Sequence, residues 1–211
     1  MKKIVLIIIV VIAAILIIKS MKGREEPLPR NDLQEDADYQ VTSELSDGTY
    51  AVSAGSQIAW EGKAIGKSHP GGLSVSSGTL VVEDGLISGS IAFDMASITS
   101  DEGISMLEED LKSDNFFDVV NYPEATFSIK SYLNGAISGD LTMRGITQPV
   151  SIPTTVTMGD DESLVVTFNG SLDRTLWDIR FRSNSFFDDL GDKAINDQIE
   201  VSGTLKAITA A

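Results

Sequence analysis

The sequence predicts an all-β fold: a closed antiparallel barrel of about eight strands with one short helix, preceded by an N-terminal membrane helix. Three observations carry this. From Gly48 onward apolar residues recur every second position, the period of a half-buried strand. The chain has 18 glycines and few helical patterns, which suits many tight turns. And a small-Gly-polar-aliphatic motif occurs five times, at Ser77–Leu80, Ser88–Ile91, Ser138–Leu141, Asn169–Leu172 and Ser202–Leu205. Its uneven spacing is no tandem-repeat period. In each copy the Gly shares the inward face with the aliphatic residue two places on. An inward Gly weakens a strand but permits the sharp bend of barrel closure, and it can also leave room for a ligand.

The first element is Ile4–Ile18, an unbroken apolar run between Lys2–Lys3 and Lys19. As a helix it spans about 22 Å, and lysine snorkelling extends its reach toward a hydrocarbon core of ~30 Å. The sequence after it lacks a small-x-small cleavage site, so residues 1–20 read as an uncleaved single-pass anchor with the amino terminus inside, a cleaved signal being the alternative. Either places the barrel on the periplasmic or extracellular side of the cell membrane. Residues 21–47, polar and broken by Pro27 and Pro29, form a spacer. The barrel occupies 48–209, with strands near 48–53, 56–65, 72–83, 86–96, 124–133, 136–145, 148–158, 162–175 and 198–209. Between the fourth and fifth, Ile104, Leu107 and Leu111 fall at helical spacing, and Ser100 or Asp101 can cap that helix. Phe116–Phe117 then either plug the core or line a cavity mouth.

Charge excludes some partners. The first 24 residues hold five basic residues and no acids, leaving 11 basic against 31 acidic residues, a net of −20, in the rest. Such a domain is repelled by nucleic acid and by anionic lipid. With no cysteine there is no disulfide, thiol nucleophile or thiolate metal site. His69 is the only histidine, and no nucleophile elbow or oxyanion motif accompanies it, so neither a metal nor a catalytic residue is assigned.

Three segments, "LKSDNFFDVVNYPEATF" (Leu111–Phe127), "GDLTMRGITQPV" (Gly139–Val150) and "DRTLWDIRFRSNSFFDDLGDKAINDQIEV" (Asp173–Val201), in this order and spacing, resemble the YceI-like polyisoprenoid-binding family. The resemblance covers about Gly48 to Ala207. It implies a lipocalin-like barrel whose elongated apolar interior holds a long isoprenoid or similar amphiphile, no established catalysis, and a possible homodimer. Trp60 matches the family's aromatic in the second strand. His69 and Gly71–Gly72 match its "HxG" turn, here with Pro70 inserted. Asp173–Arg174, Trp177 and Asp178 match the strand after the central hairpin.

The candidate lipid-contacting residues are Trp60, Ile91, Phe93, Met95, Phe117, Phe127, Leu141, Met143, Phe168, Leu172, Trp177 and Phe181. They would surround a polyprenyl phosphate or a quinone-like ligand, or simply fill an ordinary core. His69, Arg174, Arg180 and Lys193 are head-group candidates. Pairing with nearby aspartates is the competing role of the cations. A ligand-free barrel that binds another protein, or a hydrolase using His69, are the rival functions.

Overall fold

The computed structural model describes residues 45–210. The expected membrane helix and most of the spacer lie outside them. Nine strands form one antiparallel sheet: β1 (Gly48–Val52), β2 (Gln57–Ala64), β3 (Lys67–Glu83), β4 (Leu86–Ser100), β5 (Glu124–Leu133), β6 (Ala136–Met143), β7 (Ile146–Met158), β8 (Leu164–Asp173) and β9 (Ile195–Thr209). A helix, α1 (Ser105–Lys112), interrupts them, and short 3-10 turns cover Arg174–Trp177 and Gly191–Lys193. The β3–β4 pairing closes the sheet, so the ring runs β3-β2-β9-β8-β7-β6-β5-β4. β1 also lies between β3 and β9, pairing with both end to end with β2. Nine strands thus make an eight-membered barrel: β1 and β2 are one rung broken at Ser53–Ser56, where the Gly55 amide donates to Val75 O.

Direction along the strands sorts the connections onto two ends. One end carries the start of β1, the end of β9 and the turns at 84–85, 134–135 and 159–163. The other carries the β2–β3 turn at Ile65–Gly66, the α1 segment 101–123, the turn at Arg144–Gly145 and the long 174–194 loop. Asp84–Gly85 and Asn134–Gly135 have positive φ at both positions. That is the hairpin geometry for which Asp-Gly and Asn-Gly are suited. Arg144–Gly145 adopts the same geometry with a residue that does not favour it.

The first end is packed solid. Tyr50, Leu80, Val82, Ile87, Leu164 and Ala207 are each at most 2% exposed and belong to one apolar cluster. Burial of a large side chain of this kind contributes about 1.5–3 kcal/mol. Tyr50 donates its hydroxyl proton to Ser46 O at 2.8 Å, so its polar tip is satisfied.

Several expectations need correcting. "HPGG" is no turn: His69–Gly72 lie within β3, paired with Trp60–Gly62 and Ala59 across the β2–β3 ladder. The glycines fit close neighbours on both sides: a Cβ on Gly71 would sit 2.0 Å from Thr99 O and 2.4 Å from the Trp60 ring, whose Nε1 donates to Gly72 O at 3.3 Å, and one on Gly72 would sit 2.9 Å from Gln57 Oε1. Neither Ser100 nor Asp101 caps α1. Ile104 holds the cap position without a side-chain bond, and Glu108 reaches back to accept from the Ser100 amide at 2.9 Å. β8 stops at Asp173, whose side chain accepts from the Thr175 amide and turns the chain out of the sheet, so Trp177 is not a strand residue.

The repeated glycines leave no room for a ligand. A Cβ on Gly89 would lie 2.1 Å from Thr79 O, and one on Gly139 2.2 Å from Ser128 O. Both face backbone where adjacent strands coil tightly, beside a register shift at Ile129/Ser131 in the second case. At Gly78, Gly170 and Gly203 the inward space is already taken by Val52, Ile152 and Phe168.

Candidate functional site

Above the packed end the barrel is hollow. A cavity of about 180 Å³, with an entirely apolar wall, extends from Leu205, Val166 and Ile137 up to Leu111, Phe116 and Phe117 under the α1 segment. Water needs roughly 10–15 Å³ of such space, so the cavity takes on the order of ten water-sized or methylene-sized groups. An apolar wall favours the latter.

The wall is unevenly packed. Ile91, Phe127, Leu141 and Met143 of β4–β6 and Ile58, Val166, Val201 and Leu205 of β2, β8 and β9 are buried. Trp60, Phe93, Ile152, Phe168, Leu172 and Ile199 line the same cavity and are half-buried. Strand periodicity puts all of these side chains inward.

Two segments roof this end and are tied together. Phe116 and Phe117 are 6% and 8% exposed and line the cavity. The Phe116 ring packs on Phe181 with centroids 5.4 Å apart. Arg144 donates from Nη1 to Phe116 O at 2.7 Å and, from the same atom, to Asp178 O at 3.4 Å. It therefore bridges the α1 segment and the 174–194 loop. Trp177, fully buried, donates from Nε1 to Leu141 O at 3.1 Å, and Gln148 holds Leu176 O at 3.1 Å.

Of the twelve expected lipid contacts, ten line the cavity: Trp60, Ile91, Phe93, Met95, Phe117, Phe127, Leu141, Met143, Phe168 and Leu172. Trp177 and Phe181 do not; they anchor the roof from behind. Much of the remaining wall is aliphatic, beyond the expected contacts: Val150, Ile152, Ile195 and Ile199, for example. These share the inward register of the aromatics, so the same period of two points to them.

The cations are largely engaged elsewhere. Arg174 is 1% exposed; it is one of the residues around the cavity, but its guanidinium donates to Asn196 O, Ile179 O, Ile195 O and Asp197 Oδ1 at 2.9–3.3 Å. Burial pushes its pKa down, and Asp197 and Asp173 oppose that shift. Arg180 pairs with Asp178 and stacks over Phe186. His69 Nδ1 meets Glu102 Oε2, outside the cavity wall. Lys193 is exposed in the 174–194 loop and does not line the cavity either.

A crevice opens beside the cavity between the β2–β3 turn and the 174–194 loop. Ala64, Ile65, Asn184 and Ala194 line it, and it shares Ile195 and Asn196 with the cavity wall.

With this geometry in place, comparison with known proteins gives consistent findings. The family model for the YceI-like domain matches residues 50–207. A search among curated sequences finds no match. Among solved structures, the chain is similar to Burkholderia cenocepacia BcnA, with 19% identity and a TM-score of 0.57 over 73% of this chain and 96% of that one. It is also similar to a polyisoprenoid binding domain from Saccharophagus degradans, with 14% identity and a TM-score of 0.61 over 76% and 98%. At such identities the likeness speaks for the fold.

Proposed function

The chain belongs to the YceI-like domain family, and on that premise we propose that it binds a long-chain isoprenoid-type lipid inside the barrel and serves as a membrane-tethered carrier or store. The observation that carries the reading is the cavity whose wall is apolar throughout, running from beneath the roof to the packed end. The name given to the Saccharophagus degradans domain points the same way. Burying about ten methylene-sized groups contributes roughly 8 kcal/mol before the cost of association is subtracted. A longer tail requires the half-buried Trp60, Phe168 and Leu172 to swing aside.

Of the two head chemistries expected, the uncharged, quinone-like one is the better supported. A phosphate needs free cationic donors. Arg174 has its donors on backbone carbonyls and Asp197, and Arg180 is paired with Asp178. The crevice next to the cavity offers the amides of Asn184 and Asn196 instead, suited to a neutral carbonyl or hydroxyl. No catalytic role is proposed for His69, which faces Glu102 rather than the cavity.

The test is to purify the full chain from membranes of its native host, extract it with organic solvent and identify the bound lipid by mass spectrometry. A stoichiometric isoprenoid with an uncharged head is the expected result. In parallel, Gly62→Leu should lower lipid retention. Gly62 lines the cavity, and a Cβ there meets only the Trp60 ring at an ordinary 3.8 Å. A folded Gly62→Leu protein that retains its full lipid complement would remove the cavity from the account.

A further inference from the structure

Eight of the eleven large apolar side chains that are well exposed among the described residues lie on the roofed end of the barrel. The most exposed are Val120 at 92%, Met106 at 80% and Ile65 at 65%, followed by Phe187, Leu176 and Phe186 at 42–49%. They come from three of the four connections at that end: the β2–β3 turn, the α1 segment and the 174–194 loop. A scatter of single exposed apolar residues is ordinary, but a concentration on one end of a barrel is a contact surface. The position of the crevice sharpens this. Ile65 stands on one side of it and the loop that carries Phe186–Phe187 forms the other.

We propose that this end docks on a lipid bilayer of net-neutral surface, with Ile65 and Phe186–Phe187 entering the interfacial region so that the crevice opens toward lipid. The inference rests on the tethered-carrier reading for its purpose, since an apolar ligand passing from bilayer to cavity would then avoid water. Its geometry is independent of that reading.

Two observations select the bilayer over other occupants. First, Ile65 lines the crevice and Phe186–Phe187 belong to the loop that forms its other side, and this crevice shares Ile195 and Asn196 with the apolar cavity wall. Second, Asp188, Asp189 and Asp192 follow the two phenylalanines. Carboxylates beside inserted aromatics suit the cationic groups of zwitterionic lipid, whereas an anionic surface would repel them.

The chain has no cysteine, so single reporters are easily introduced. The full chain would be incorporated in phosphatidylcholine vesicles as Ile65→Cys, Phe187→Cys or Leu133→Cys, each labelled with an environment-sensitive fluorophore. Leu133, 48% exposed at the packed end, is the control. Labels at 65 and 187 should shift to the blue and be quenched by nitroxide lipid within the bilayer, while the label at 133 reports water. Replacing half the lipid by phosphatidylglycerol at low salt should weaken the quenching. Aqueous signals at 65 and 187, quenching equal to that at 133, or stronger docking on the anionic vesicles would each overturn the proposal. So would a blue shift without nitroxide quenching, which means that protein covers these tips. In lipid-transfer assays Phe187→Asp should slow uptake from donor vesicles by about tenfold or more. Docking without bound lipid would overturn the carrier reading alone, and bound lipid without docking this proposal alone.

Discussion

Replacing Arg174 by Met would remove donors from three backbone carbonyls and one carboxylate at a site that is 1% exposed. The aliphatic part of the side chain is conserved in volume, so the loss falls on the acceptors, of which Ile179 O is buried and cannot turn to water. Breaking a buried charged network of this kind costs about 3–5 kcal/mol, measurable as a lower urea midpoint. Arg174→Lys should recover only a fraction, because one ammonium cannot address acceptors arrayed around a planar fork. Full stability in the Met variant would mean that the guanidinium is dispensable to the fold, and would reopen its use as a head-group contact. The residue type alone could not distinguish these uses. An arginine near five aspartates reads as a surface ion pair or a phosphate seat. What decided the matter is that the 3-10 turn places it under Ile179 O and against the start of β9.

At the scale of the strand, the five repeated glycines divide into two kinds. Gly89 and Gly139 would drive a Cβ into a backbone oxygen of the adjacent strand at 2.1 and 2.2 Å, and backbone cannot step aside cheaply. Gly78, Gly170 and Gly203 would meet side chains at 2.9–3.0 Å, which can rotate or shift by tenths of an ångström. Alanine should therefore cost about 3 kcal/mol or more at Gly89 and Gly139 and about 1 kcal/mol at the other three. Thermal denaturation of the five single variants gives the ranking directly, and equal costs would refute the division. The alternation of apolar residues was enough to read the strands, their inward faces and most of the aromatic wall, since period and face follow from strand geometry alone. Departures from regularity were less legible. "HPGG" suggests a turn by composition, yet its glycines answer to the neighbouring strands, Gly71 to Thr99 O and the Trp60 indole and Gly72 to Gln57. Trp177 has the spacing to continue β8, but Asp173 caps a turn just before it. Each depends on a contact distant in sequence, or on a cap competing with a strand, and neither leaves a periodic trace.

For the whole molecule, one end is a packed plug and the other a roof assembled from two segments that the sheet does not order. That asymmetry implies that ligand exchange occurs by loosening the roof while the barrel stays intact, because local opening draws on the least packed elements. Arg144 is the joint. It occupies a hairpin turn at positive φ, a conformation that glycine, asparagine or aspartate adopts more readily, and from there it donates to Phe116 O and Asp178 O. Backbone strain of this sort costs on the order of 1 kcal/mol and persists where the surroundings hold it. Arg144→Asn would ease the turn and sever both contacts. We expect little change in global stability, since relief of strain offsets the lost hydrogen bonds, but faster amide exchange at 113–119 and 176–182 and faster ligand release. Unaltered exchange in those two segments would show that the roof is held by Phe116–Phe181 packing and by the Trp177–Leu141 bond instead. A uniform loss of protection through β4–β9 would show that roof and barrel open as one unit, and release would then require global unfolding rather than a gate.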